Sequence, residues 1–269
     1  MQGSFATSAV PGTRFTEIRW VPETGSTNAD LLAAAAAGAA EGLVLVADHQ
    51  TAGRGRLDRS WVAPPGSSLL VSVLLRPTLA PDALFLLTAA AGVASAEAAE
   101  TVAGVRVGLK WPNDLVAVGP PLADRKLSGV LAESSVTDGE VRAVVVGMGL
   151  NVNWPAELPE DLAATATSLD HLAGHPVDRE ALLVAWLRRL DHWIDAIEAG
   201  PDGRRSLVDQ LRERSATLGR AVRVELASGV VEGEAVAIDE DGHLQVATAG
   251  SAEPLVVAVG DIVHLRPVS

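Results

Sequence analysis

Two apolar runs, Leu127 to Ser134 and Val141 to Leu150, stand on either side of a turn signal at Asp138-Gly139. Runs of that length with that punctuation predict a β-hairpin, so the sheet must contain at least one antiparallel pair. Phe15 to Val21, Leu43 to Asp48, Leu69 to Arg76 and Val105 to Trp111 read as further strands. Between them, Ser26-Thr27-Asn28 is a helix N-cap signal ahead of the Ala/Leu-rich run Ala29 to Ala40. Pro81 to Val102 predicts a long helix with proline in its first turn. Asp178 to Ala199 predicts another, with Leu182, Leu183, Trp186, Leu190, Trp193, Ile194 and Ile197 at helical spacing. Gln50 to Ser67, rich in Gly, Arg and Pro, reads as a long loop.

The pattern changes near Gly219. Ala221 to Leu226, Val230 to Ile238, Leu244 to Thr248 and Pro254 to Val259 are short alternating segments, separated by Ser228-Gly229, Asp241-Gly242 and Ala249-Gly250. They predict a β-barrel of roughly 50 residues. The fold class is therefore α+β. Residues 1–14 read as a disordered leader, 15–215 as a main domain with a mixed or antiparallel sheet and helices, and 216–269 as a small β domain.

Charge and composition narrow the function classes. The chain carries a net charge of −13, a poor match for generic binding to a phosphate backbone. It has no cysteine, which removes disulfides and Cys-based metal sites and suits the cytoplasm. No segment reads as a membrane span or a signal peptide. Of 21 basic residues only two, Lys110 and Lys126, are lysines. Both fall in one short stretch, which points to a need for a compact ammonium there; chance in an Arg-rich chain is the other explanation.

Four segments carry candidate chemistry. Gln50-Thr51-Ala52-Gly53-Arg54-Gly55-Arg56-Leu57-Asp58-Arg59-Ser60-Trp61 places three arginines and two glycines within seven residues. Glycine permits close backbone approach, and guanidinium groups hold carboxylates or phosphates through paired hydrogen bonds. Composition alone fits a solvated coil equally well. Lys110-Trp111-Pro112-Asn113-Asp114 ends a strand with groups able to meet phosphate and a hard cation, although Asn-Asp alone is also an ordinary turn. Arg125-Lys126-Leu127-Ser128-Gly129 sets an ammonium at the mouth of an apolar strand, where it could stabilise developing negative charge. Gly147-Met148-Gly149-Leu150-Asn151-Val152-Asn153 fails as a dinucleotide loop, because Val152 occupies the third glycine position and no helix follows. The six histidines are scattered singly, and none has convincing metal-ligand spacing.

In this order the segments resemble the biotin–protein ligases, over residues 20 to 155. The resemblance implies a class II aminoacyl-tRNA-synthetase-like or lipoate-ligase-like catalytic domain, followed by an SH3-like C-terminal domain. It implies activation of biotin by ATP to biotinyl-5′-adenylate, then transfer to a lysine of a biotin carboxyl carrier domain. By position, Ser26, Thr27, Asn28, Gln50, Gly53, Arg54, Gly55, Arg56, Lys126 and Gly129 would bind biotin. Arg56, Arg59, Trp61, Lys110, Asn113, Asp114 and Asn151 would bind ATP, Asp114 would hold Mg²⁺, and Lys126 and Arg56 would be catalytic. Asp58 stands where the family pattern has glycine, which bears on the geometry of the closed loop. About 14 residues precede the first strand, too few for the helix-turn-helix that some members carry. The expectation is an enzyme, monomer or homodimer, with neither specific DNA nor membrane as partner. A lipoate or octanoate ligase or transferase of the same fold is the main alternative, and a non-catalytic biotin-binding module is another.

Overall fold

The computed structural model describes residues 8–57, 59–137, 140–158, 160–226, 229–258 and 261–264. The main domain is built on a seven-stranded sheet. In chain order its strands are β1 (Glu17–Thr24), β2 (Leu43–Gln50), β3 (Ser68–Leu75), β4 (Val107–Lys110), β5 (Asp114–Ala117), β6 (Lys126–Thr137) and β7 (Glu140–Asn151). In space they run β1-β2-β3-β7-β6-β5-β4. Only β1 and β2 pair in parallel; the other neighbours are antiparallel. The expected hairpin is the β6–β7 pair, running from Ser128 opposite Leu150 to Thr137 opposite Glu140 with one shift of register between Ser135 and Val136. Its turn residues, Asp138-Gly139, lie outside the described residues.

Alternation along the strands separates two cores. Val44, Val46, Val71 and Val73 face one core, built with α2 (Phe85–Ala103), α5 (Arg179–Ala199) and α6 (Pro201–Glu213). Leu43, Leu45, Leu74 and Val145 face a smaller one on the opposite side, capped by Leu31 of α1 (Thr27–Ala36). By length and composition α2 could cross a membrane, yet it lies inside the molecule with most of its residues buried. Glu97, the more buried of its two half-buried acids, is well partnered. It accepts from Arg189 through both oxygens at 2.7 Å and from Trp193 Nε1 at 3.0 Å.

Several elements differ from expectation. Residues 8–14 do not behave as a leader, because Val10 is buried and Arg14 bonds the chain to α5. Arg14 Nε donates to Asp191 at 2.8 Å, while Glu41, Asp195 and Glu198 surround the same guanidinium. Burial alone would lower the basicity of Arg14, but the hydrogen bond to Asp191 and the charges of Glu198 and Glu41 outweigh it and push the group up. Two short helices, α3 (Glu160–Thr165) and α4 (Leu169–Ala173), as well as β5 and α6, have no counterpart in the sequence reading.

The small domain consists of β8 (Ala221–Leu226), β9 (Gly229–Ile238), β10 (Leu244–Ala247), β11 (Leu255–Val257) and β12 (Asp261–His264), an antiparallel sheet in the order β11-β10-β9-β8-β12. The last strand was not anticipated. The domain docks on the edge of the main sheet. Leu109 N–H donates to Arg214 O and Ala216 N–H to Leu109 O, both at 2.8 Å, so the linker continues the sheet beyond β4. Trp111 is buried at this junction and its Nε1 donates to Gly242 O at 2.9 Å. Arg220 forms a paired contact with Asp124.

Candidate active site

The site opens at the ends of β2, β6 and β7, beneath the loop after β2. Its floor is a chain of small polar groups. Ser26 caps α1, its Oγ accepting from Ala29 N–H at 3.5 Å. Thr27 follows, its N–H donating to Gln50 Oε1 at 2.8 Å and its hydroxyl lying 3.1 Å from the same oxygen. Ser72 of β3 places its hydroxyl 2.7 Å from Thr27 Oγ1 and 2.6 Å from Asn28 Oδ1. Thr27, Asn28 and Ser72 are all buried, so these bonds replace water that the groups would otherwise need. Asn28 approaches β7 closely: a Cβ on Gly147 would lie 2.1 Å from Asn28 Oδ1.

One wall comes from the β4–β5 turn and the start of β6. Asp114 opens β5 and pairs with Gly129 across the sheet. Lys126 Nζ lies 2.8 Å from Asp114 Oδ1, and that oxygen, although ion-paired, receives no well-aligned hydrogen bond. Asn113 is locked to β6, donating from Nδ2 to Val130 O at 2.8 Å and accepting from Val130 N–H at 2.9 Å. Its Oδ1 accepts from Arg56 at 3.1 Å.

The roof is the loop itself, a narrow ribbon rather than a coil. Arg54 and Ser60 form a bridge, and Trp61 N–H donates to Gly53 O at 2.9 Å. Asp58 lies outside the described residues; its neighbour Leu57 has φ +53° and an exposed side chain. Trp61 folds back onto the sheet over the cross-strand pair Gly129 and Gly149. A Cβ on Gly149 would meet the indole at 2.5 Å, so only glycine lets the ring lie there. Lys126 Nζ sits 5.5 Å from the centre of that ring, within cation–π range. The indole Nε1 is buried without a protein partner.

These residues enclose a cavity of about 130 Å³ above the floor. Beyond it, past the loop, lies a wider cleft of about 740 Å³ that also touches Gly53, Phe85, Pro112 and Glu133. Ser26, Thr27, Asn28, Gln50, Arg54, Gly55, Arg56, Arg59, Trp61, Asn113, Asp114, Lys126 and Gly129, all singled out from sequence, line the inner cavity. Two others stand apart. Lys110 borders a separate crevice next to Trp111 and Leu211. Asn151 is buried behind the wall, where its Nδ2 donates to Thr167 O at 2.9 Å and reaches Lys126 O at 3.5 Å. It therefore braces the backbone that carries Lys126. The sequence reading missed Ser72 and Glu133. The former shows only as a lone hydroxyl within the apolar run of β3, and the latter as an acid in step with Gly129 and Leu131 along β6.

The model of the biotin/lipoate A/B protein ligase family matches residues 22–151, and that of the biotin protein ligase C-terminal domain matches residues 217–265. The biotin–[acetyl-CoA-carboxylase] ligase of Mycobacterium tuberculosis is 41% identical over 262 residues, covering 95% of this chain and 91% of that protein. The bifunctional ligase/repressor BirA of Bacillus subtilis is 33% identical over 212 residues, 78% of this chain and 63% of that protein. The biotin protein ligase of Aquifex aeolicus in complex with biotin and ATP superposes with a TM-score of 0.77 at 29% identity, over 94% of this chain and 100% of that one. With one relative similar along almost its whole length and both domains matched in order, the chain belongs to the biotin protein ligase family.

Proposed function

We propose that this chain joins biotin to ATP, forming biotinyl-5′-adenylate and pyrophosphate, and then passes the biotinyl group to a lysine amine of a biotin carboxyl carrier domain. The observation that carries the reading is the convergence of five separate sequence segments on one pocket with a neutral polar floor and a cationic mouth. The floor suits an uncharged polar head such as a urea, with Thr27, Asn28 and Gln50 offering hydrogen-bonding groups. The mouth suits the anions.

In the first step a biotin carboxylate oxygen attacks the α-phosphorus of ATP and pyrophosphate leaves. Two anions must approach each other, and Lys126, Arg54 and Arg56 supply fixed positive charge where they meet. In the second step the lysine amine attacks the acyl carbon, an amide bond forms, and AMP leaves with the bonding electrons of the broken C–O bond. Arg59 and Trp61 are assigned to the nucleotide and Asn113 to its phosphates. Mg²⁺ arrives with ATP as part of the substrate and would screen the phosphate charge. Asp114 would fit that ion as one carboxylate beside the phosphates, its Oδ1 exchanging the Lys126 ammonium that now lies 2.8 Å away. Lys110 and Asn151 support the same wall from outside the cavity.

Biotin-dependent exchange of pyrophosphate into ATP is the test. Exchange with biotin, and a carrier domain that gains one biotinyl group, is the expected result. Exchange with lipoate and not with biotin would overturn the reading, and biotin binding with no exchange would favour a non-catalytic module.

A further inference from the structure

We propose that Glu133 is a positioning residue. One of its carboxylate oxygens sets the orientation of the Asn28 amide on the pocket floor, and the other tethers Arg54 of the loop until an anionic ligand takes its place. The second half rests on the functional reading above; the first half does not.

Gly129, Leu131 and Glu133 alternate along β6 and share the face turned to the site. Glu133 Oε2 accepts from Asn28 Nδ2 at 2.8 Å, and Leu131 O accepts from the same nitrogen at 3.2 Å. Both amide hydrogens are thereby committed to β6. Turning the amide over would set its oxygen against two acceptors, a carbonyl and a carboxylate. The amide oxygen is therefore held toward Ser72, whose hydroxyl lies 2.6 Å away.

That orientation fixes the rest of the floor. A serine has one hydroxyl hydrogen, and Asn28 Oδ1 can only accept, so Ser72 donates to Asn28. The contact of 2.7 Å between Ser72 and Thr27 is then made by the Thr27 hydrogen. Gln50 Oε1 keeps its bond from Thr27 N–H, and the Thr27 oxygen has lone pairs left for the pocket. With the amide reversed, every hydroxyl in the row would reverse too, and Thr27 would spend its hydrogen on Gln50. The carboxylate of Glu133 thus leaves both lone pairs of the Thr27 hydroxyl uncommitted, one more than the reversed row would leave, which favours ligands bearing N–H donors.

The second oxygen, Oε1, lies 3.4 Å from the Arg54 guanidinium. Arg54 is about half exposed, at 47%, so this contact is weak and easily exchanged. A ligand carboxylate or phosphate competes for Arg54 directly and leaves Glu133 on Asn28.

Two variants separate the two halves. Glu133→Gln retains an acceptor for Asn28 and loses the charge that faces Arg54. It is expected to hold the biotin KM close to wild type while ligand-free cleavage by trypsin at Arg54 and Arg56 rises about threefold. Glu133→Ala removes both contacts and is expected to raise the biotin KM about tenfold with kcat changed far less, as loss of uniform binding does. Wild-type KM in Glu133→Ala, or unchanged cleavage in both variants, would overturn the proposal. Equal KM increases in the two variants would overturn it as well, since a bulk structural role does not distinguish an amide acceptor from a methyl group. The cleavage assay needs no ligand, so it reads the tether even if the wild-type protein makes no adenylate from biotin.

Discussion

The floor and the roof of the pocket are built on opposite plans. On the floor, Thr27, Asn28 and Ser72 sit on α1 and β3, are buried, and satisfy one another through short hydrogen bonds. In the roof, Arg54 is half exposed and its acidic contact comes from across the cleft. The floor carries no net charge and is finished before any ligand arrives. The roof and the adjoining wall carry surplus positive charge, held meanwhile by the site's own acceptors: Arg54 on Glu133, Arg56 on Asn113, Lys126 on Asp114. Preorganised neutral groups suit recognition, and exchangeable charges suit a step in which anions arrive and leave.

The sharpest way to break this contrast is to move charge. Lys126 is mounted on the rigid wall, whereas Arg56 is mounted on the roof. Lys126→Ala is expected to lower kcat for pyrophosphate release by about 10²–10³-fold, the effect of removing one preorganised donor at a developing charge. Release at a near wild-type rate would remove it from the chemistry. Gly149→Ala pushes a methyl group into the Trp61 ring, whose nearest atom would lie 2.5 Å from the new carbon. Adenylate should then dissociate about thirtyfold faster in filter-binding assays, a penalty in the range of overpacking costs. Arg56→Met is expected to raise the KM for ATP about tenfold and lower the melting temperature by only a few degrees, because one part-buried hydrogen bond contributes about 1 kcal/mol to folding. An effect as large as that of Lys126→Ala would mean that roof and wall do the same work. The smallest effect is reserved for the floor read through stability. Thr27→Val should cost about 1 kcal/mol in urea unfolding, since it removes the hydrogen bond that the Thr27 hydroxyl gives to the buried Ser72 oxygen, while the backbone bond from residue 27 to Gln50 survives.

Sequence revealed these regions unequally. The roof was legible because Gly53-Arg54-Gly55-Arg56 is a local signal, with the chemistry and the backbone freedom written in adjacent residues. Ser26-Thr27-Asn28 was legible for a similar reason, as a cap before a helix. Ser72 and Glu133 were not, because their importance depends on which side of a strand faces the site, and that is settled only when the sheet assembles. α6 escaped because Pro201-Asp202-Gly203 reads as a turn, whereas proline here occupies the first helical turn and Gly203 fits against Ala196 of the preceding helix. β5, four residues long, carries too little pattern to be seen. Residues 8–14 looked featureless, yet Arg14 finds four acids, Glu41, Asp191, Asp195 and Glu198, none of them near it in sequence.

The junction at Trp111 has a further consequence for how the molecule comes apart. A side chain two residues before Asn113 is hydrogen-bonded to the small domain, and the linker has taken the place of an eighth strand. Separating the domains would bare the β4 edge and uncover the Trp111 indole, so neither can loosen without unsettling the Asn113-Asp114 turn beside it. The two should melt together in a single calorimetric transition, and heat would then extinguish nucleotide binding and small-domain structure at one temperature.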